Sequence, residues 1–170
     1  MAELVSRNRL QPALLDRLTD LQPDTALESR ERRVISLRQL RDGVLRDIGH
    51  LLNARSLYAV DLEAYPAIAD SVLNAGLPDY AGKVASNVDK LGLARDIAET
   101  LRRFEPRILA DTLKVSPVAP ERDAGRNTMA FLVEGDLWAQ PYPERLYLMT
   151  ELDLETGRMR VGTSSSQGRQ

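Results

Sequence analysis

The stretch ARDIAETLRRFEPRILADTLKV, residues 94–115, contains the point at which the pattern of the chain changes. Before it, apolar residues return every three to four positions, which is typical of an amphipathic helix. After it the period becomes two, which is typical of a strand with one buried face. Glu105-Pro106-Arg107 stands at the change. Because proline has no N–H and disfavours the helical conformation of the residue before it, a helix is predicted to end here.

Three helices are predicted upstream of this junction. The first begins after Ser36, which forms a capping-box pattern with Gln39, and ends near Asn53. A short second helix follows Pro66, and the third begins after Asp89 as its cap. We expect the second helix to direct three apolar residues towards the core, namely Ile68, Val72 and Leu73.

Strands are predicted downstream of the junction, at residues 109–117, 128–138, 146–154 and 159–161. The last two are joined by the tight turn Glu155-Thr156-Gly157-Arg158. Helices first and strands second indicate an α+β domain. We therefore expect N-terminal helices packed on one face of a small, mainly antiparallel sheet of three to four strands.

The chain divides into three predicted regions: an amphipathic arm with a linker at 1–30, the α+β domain at 31–163, and a disordered tail at 164–170. The arm carries leucines at helical spacing. It is too short to be a stable helix on its own in water. It therefore either packs on its own domain or docks into a groove of a partner. Its candidate partner-binding residues are Leu10, Leu14, Leu15 and Leu18.

Composition excludes several classes of function. The 170 residues carry a formal net charge of −2, which gives no general attraction to nucleic acid or to an anionic membrane. With no cysteine and a single histidine, thiolate and imidazole clusters for metals are excluded, and we predict neither a metal nor another cofactor. No stretch is apolar enough for a signal peptide or a membrane span, so we expect a cytoplasmic protein without direct membrane insertion.

Glu105 and Arg107 are the candidate functional pair. If the chain runs extended from Glu105, both side chains project to the same side and pair at the rim of the sheet. This pair is either an internal ion pair that caps the helix or a preorganised polar contact for a partner chain. A glycoside hydrolase needs two carboxyls about 5–9.5 Å apart, one of them protonated. A neighbouring arginine favours the ionised form instead, and we predict no catalytic residue.

Three aromatic residues flank the prolines between the second and third strands. They are Trp138, Tyr142 and Tyr147. Aromatic side chains in a proline-rich turn either cover the edge of the core or anchor an interface with another protein. The sequence leaves both interpretations open.

An ordered set of short motifs resembles the TssE family, the small baseplate subunits of bacterial type VI secretion. The resemblance extends from about residue 8 to 162, and the leader with Leu10 to Leu18 is similar as well. The motifs are RVISL at 33–37, VLRD at 44–47, LLN at 51–53, SVLN at 71–74, GLPD at 76–79, FEPRI at 104–108 and TELDLETGR at 150–158.

This resemblance implies a structural role and not an enzymatic one. The expected partners are the baseplate subunits TssF, TssG and TssK and the contractile sheath of TssB and TssC, whose assembly this subunit would help to nucleate. The family's Glu-Pro-Arg motif maps onto Glu105, Pro106 and Arg107 and is associated with assembly. The implied location is the bacterial cytoplasm, at the baseplate near the inner membrane. The alternatives are a peptidoglycan-cleaving, lysozyme-like hydrolase and a free-standing effector-binding or chaperone-like module.

Overall fold

A computed structural model describes residues 13–19, 36–57, 61–69, 71–120, 125, 127–139 and 142–163. The predicted linker at 22–30, the tail at 164–170 and Leu10 lie outside these residues. The described helices are α1 (Leu14–Leu18), α2 (Leu37–Asn53), α3 (Pro66–Ala69) and α4 (Lys90–Phe104). The described strands are β1 (Lys114–Val118), β2 (Thr128–Leu137), β3 (Glu144–Asp153) and β4 (Arg158–Thr163).

The four strands form one antiparallel sheet in the order β1-β2-β3-β4. One face of this sheet packs against the helices and carries the core. Phe131 lies opposite Thr150 in the neighbouring strand, and both are fully buried. Each fully buried aliphatic or aromatic side chain contributes about 1.5–3 kcal/mol through removal from water. Helices on one face of a small antiparallel sheet confirm the predicted α+β class.

The two long helices begin where the sequence predicts. The Ser36 hydroxyl accepts from the Gln39 N–H, and the Gln39 side chain accepts from the Ser36 N–H, which completes a capping box. The Asp89 carboxylate caps α4 by accepting from the N–H of Leu91. The apolar stripes of α2 and α4 are buried in the common core. Within the described part of the chain, no helix combines the length and apolar character needed to cross a membrane.

The second predicted helix is wrong in its extent and orientation. It ends at Ala69, and Val72–Asn74 form a separate 3₁₀ turn. Val72 and Leu73 are 80% and 67% exposed, so they do not point into the core. The Ser71 hydroxyl accepts from the Leu73 N–H and starts the new turn. This local cap changes the direction of the chain and rotates both apolar side chains outwards.

The first strand begins later than predicted. A 3₁₀ turn at Ala110–Thr112 precedes it, and β1 starts at Lys114. The Thr112 hydroxyl donates to the carbonyl of Leu109 and accepts from the N–H of Asp136 in β2. These bonds hold the turn against the sheet. Leu109 is half-buried and Leu113 is buried on either side of this turn, so their alternation does not mark a continuous strand.

The two edges of the sheet differ. On β4, the side chain of Asn53 donates to the carbonyl of Met159 at 2.8 Å and accepts from its N–H at 3.0 Å. Asn53 therefore occupies the position that a neighbouring strand would take at this residue. On β1, Pro117 has no N–H to donate, and the Leu113 carbonyl just before the strand accepts from Arg102 at 3.4 Å.

Candidate partner-binding site at the junction

The chain turns sharply at Glu105, directly after α4. The N–H of Glu105 still donates to the carbonyl of Leu101, and the N–H of Ile108 donates to the carbonyl of Glu105 at 3.2 Å. Residues 105–108 therefore form a β-turn with Pro106 at its second position, which proline favours. The structure therefore does not meet the condition of an extended chain at Glu105, under which both side chains would project to the same side. The physical reason is that Ile108 has to turn back into the core, where it is buried.

The side chains of Glu105 and Arg107 nevertheless meet. Arg107 donates from Nε to Oε1 of Glu105 at 2.7 Å and from Nη2 to Oε2 at 2.5 Å. The N–H of Arg107 also donates to Oε1 at 3.1 Å. Glu105 is only 3% exposed, so its charge is compensated almost entirely by this forked contact. The hydrogen bond to Glu105 raises the pKa of Arg107, which stays protonated.

A second carboxylate reaches the same guanidinium from α2. Nη2 of Arg107 donates to Oδ2 of Asp47 at 2.7 Å, while Arg46 donates to Oδ1 of Asp47 at 2.8 Å and 3.0 Å. Burial alone would raise the pKa of Asp47, but the hydrogen bonds from Arg107 and Arg46 outweigh it and lower that pKa. Arg46 also donates to Asp16 of α1 at 2.5 Å. Five alternating charges therefore connect α1, α2 and the junction.

The junction is fixed to the sheet by backbone contacts. The N–H of Trp138 donates to the carbonyl of Arg107, and the N–H of Leu109 donates to the carbonyl of Asp136, both at 2.8 Å. A Cβ on Gly135 would lie 3.0 Å from Cγ2 of Ile108. The absence of a side chain at Gly135 therefore allows the turn to approach β2 closely.

A groove of about 350 Å³ opens beside the turn. Pro106 is exposed at its rim, and Arg107 is partly exposed. Within the part of the chain that the structure describes, Nη1 of Arg107 donates to no acceptor. The groove thus offers apolar surface next to an arginine with unused N–H donors. It is lined by Ala13, Asp47, Leu51, Phe104, Glu105, Pro106 and Arg107.

The described leucines of the arm do not pack on the domain. Leu14, Leu15 and Leu18 are 69%, 60% and 74% exposed. The contact of α1 with α2 is polar, between Asp16 and Arg46. A Cβ on Gly43 would lie 3.6 Å from Oδ2 of Asp16, so α1 approaches α2 at a residue without a side chain. One interpretation of the arm is that its leucines dock on their own domain. The structure does not show this for these three residues.

The three aromatic residues are exposed. Arg145 lies over the ring of Tyr147, with 5.4 Å between its Cζ and the ring centroid, and also pairs with Asp136 at 3.0 Å. Trp138 adjoins the junction through its backbone bond to Arg107. Their exposure favours the interpretation as interface anchors over that of a cover for the core.

The described residues contain no group of three or more His, Asp and Glu side chains that could hold a metal ion. Both carboxylates at the groove, Glu105 and Asp47, accept hydrogen bonds from arginines. Their oxygens are already occupied as acceptors of these hydrogen bonds, so neither carboxyl is positioned to donate a proton as a general acid. The arrangement is chemically suited to recognition: an apolar rim with a positioned guanidinium.

The sequence alone points to Glu105, Pro106 and Arg107 but not to the residues that complete the network. Asp47 and Arg46 lie on α2, some sixty residues before the junction, and Asp16 lies 30 residues before Arg46. Local spacing carries no signal for these contacts. Only the position of Asp47 at the edge of the apolar stripe of α2 indicates that it faces another element.

A family model for the baseplate wedge protein gp25 matches residues 38–142, which is more than half of the chain. No curated protein and no solved structure matches the chain. The matched segment starts in α2, includes the junction and ends just before β3. The chain therefore belongs to the family of baseplate wedge protein gp25, which is also the family of TssE.

Proposed function

We propose that this protein is the small baseplate subunit of a type VI secretion system. In this role it joins the wedge of TssF, TssG and TssK and helps to nucleate the sheath of TssB and TssC, in the bacterial cytoplasm near the inner membrane. Its family membership supports a structural role in a phage-tail-like baseplate. The motifs at 104–108 and 150–158, which resemble TssE, support the more specific assignment.

The observation that carries the proposal is the groove at the junction. Its arginine is held in place by Glu105 and Asp47 before any partner binds, so little conformational entropy is lost on docking. Nη1 of Arg107 has donors to offer to a carboxylate or a carbonyl of a wedge subunit. Pro106 presents a rigid apolar surface beside it. The exposed leucines of α1 provide a second contact surface for the wedge.

The sheet supports the second half of the proposal, nucleation of the sheath. Alternate residues of a strand direct their backbone groups to the same edge. The backbone N–H and C=O groups of Val161 and Thr163 therefore point to the open edge of the sheet, as those of Met159 do. Among the described residues, none forms a hydrogen bond with these groups. Pro117 makes β1 the poorer template. We infer that a sheath strand adds to β4 at Val161 and Thr163.

Pro106→Trp tests the docking site without breaking the ion pairs. A bulky side chain at this exposed position should leave the fold intact but keep a partner out of the groove. We expect the variant to fail to co-purify with TssF, TssG and TssK and to form no sheaths. Removal of Arg107 is a poorer test because it leaves the buried Glu105 unpaired.

Pro120→Trp is the matched control, because Pro120 is also exposed but lies outside the groove. This variant should co-purify with the wedge and support sheaths at the parental level. Normal wedge binding by Pro106→Trp at matched expression would contradict the role given to the junction. Unfolding of Pro106→Trp alone, seen by circular dichroism, would favour a purely structural role for the turn.

A further inference from the structure

The helix α1 combines two features that rarely occur in a helix docked for stability. Its described leucines face solvent, and an ion pair joins it to α2 between Asp16 and Arg46. The two side chains are 30% and 41% exposed, so water and salt screen their attraction. A contact of this kind holds a segment in place but releases it readily.

Release of α1 would change the groove at the junction, because the helix begins at the wall of this groove. Ala13, directly before α1, lines the groove together with Leu51, Phe104 and Pro106. When α1 leaves α2, this wall of the groove leaves with it, and the apolar surface of Leu51 becomes accessible. The arm and the junction thus share one site.

The ion pairs connect the two parts energetically. Asp47 accepts from Arg107 through Oδ2 and from Arg46 through Oδ1, and Arg46 also binds Asp16. A partner carboxylate that binds Nη1 of Arg107 shares the positive charge of this guanidinium, which stays in place but attracts Asp47 less strongly. Asp47 is then free to attract Arg46 more strongly, in competition with Asp16. Coupling of this kind is reciprocal, so release of α1 also favours binding at Arg107.

We propose that α1 is a releasable helix, held on α2 by the Asp16–Arg46 ion pair, and that its release opens the groove at Glu105-Pro106-Arg107 to a partner chain. Release also lets the exposed leucines of α1 reach another part of the same partner. The inference deepens the proposed function, on which it rests for the identity of the groove as a docking site. Its test uses no partner, so the two can fail separately.

The natural chain has no cysteine, which allows a single reactive group to report on the groove. In a Leu51→Cys background, alkylation by N-ethylmaleimide measures how often the groove is open. Asp16→Asn should raise the alkylation rate about twofold to fivefold in 0.01 M salt, as loss of an exposed ion pair implies. In 1 M salt the parent should approach the rate of the variant, because the attraction is then screened within about 3 Å.

Arg38→Gln is the matched control, because Arg38 pairs with Asp42 on the same helix. Among the described residues, its side chain makes no ion pair with α1 and does not line the groove. It should alkylate at the parental rate. Equal rates for Asp16→Asn and its parent at low salt would overturn the proposal.

A second probe covers the case in which Leu51→Cys does not fold. A fluorophore on Leu18→Cys, at an exposed position of α1, should lose anisotropy in Asp16→Asn and in the parent at high salt. Anisotropy that changes neither with the Asp16→Asn substitution nor with the salt concentration would overturn the proposal as well. A third outcome is that α1 is released as expected while Pro106→Trp binds the wedge normally. In that case α1 is a releasable helix, but the groove is not the site at which the partner binds.

Discussion

The junction and α1 are held by the same kinds of side chains, yet their contacts differ in burial and in number. At the junction, Arg107 makes three side-chain hydrogen bonds to two carboxylates, one of which is almost fully buried. At α1, Arg46 makes one hydrogen bond to a carboxylate that solvent reaches. The attraction within an ion pair strengthens as water is excluded, and removal of one partner then costs more free energy. The first arrangement therefore provides a fixed platform and the second a reversible attachment.

The largest expected effect is on the junction. Arg107→Ala leaves the carboxylate of Glu105 buried, with the N–H of residue 107 as its one remaining donor among the described residues. We expect the free energy of unfolding to fall by about 1–3 kcal/mol, measured by urea denaturation. Arg55→Ala removes an arginine from an exposed ion pair with Asp79 and should cost no more than about 1 kcal/mol. Equal losses in the two variants would mean that the junction is no more firmly held than the surface.

The next effect concerns the carboxylate that both regions share. The pKa of Asp47 is lowered in the folded protein by Arg107 and Arg46, below the ordinary value of 3.8. A lowered pKa contributes stability above the unfolded value, and this stability is lost as the pH falls through the folded value. Asp47→Asn should therefore be less stable than the parent at pH 7 but lose less stability on acidification below about pH 4.

Thermal unfolding across this pH range measures the difference between the two curves. Asp42→Asn provides the control, because its partner Arg38 lies 4.0 Å away in an exposed pair. It should follow the parental pH dependence. Parallel curves for Asp47→Asn and its parent would contradict the role of Asp47 as the link between the two regions.

The smallest effect is expected at α1. Asp16→Asn should change the free energy of unfolding by no more than about 1 kcal/mol, because the pair is exposed and no described leucine of α1 is buried. Urea denaturation with circular dichroism measures it. A loss as large as that of Arg107→Ala would show that α1 belongs to the folded core and would remove the contrast between the two regions.

The order of elements could be predicted from the sequence because it rests on local signals. The cap at Ser36, the proline at 106 and the change of period after it are each visible within a few residues. Where two local signals compete, the prediction is wrong. Val72 and Leu73 continue an apolar pattern, but the hydroxyl of Ser71 starts a new turn and directs them to solvent.

The candidate site could be predicted only in part. Glu105 and Arg107 are neighbours in sequence, so their pairing follows from short-range geometry whether the chain is turned or extended. The contribution of Asp47 depends on how α2 packs against the junction, 60 residues away. The contact between Arg46 and Asp16 likewise spans 30 residues. Contacts of this separation are fixed by tertiary packing and leave no periodic trace in the chain.

If a strand adds to β4, as we propose, the side chain of Asn53 has a further consequence. Because it already satisfies both backbone groups of Met159, an added strand can pair only beyond that residue. Slippage by two residues towards the start of β4 would place the new strand against Asn53. The amide therefore sets the register of any strand that joins this edge. If successive layers of a sheath copy the first strand, one asparagine at the end of α2 determines the alignment of the whole stack.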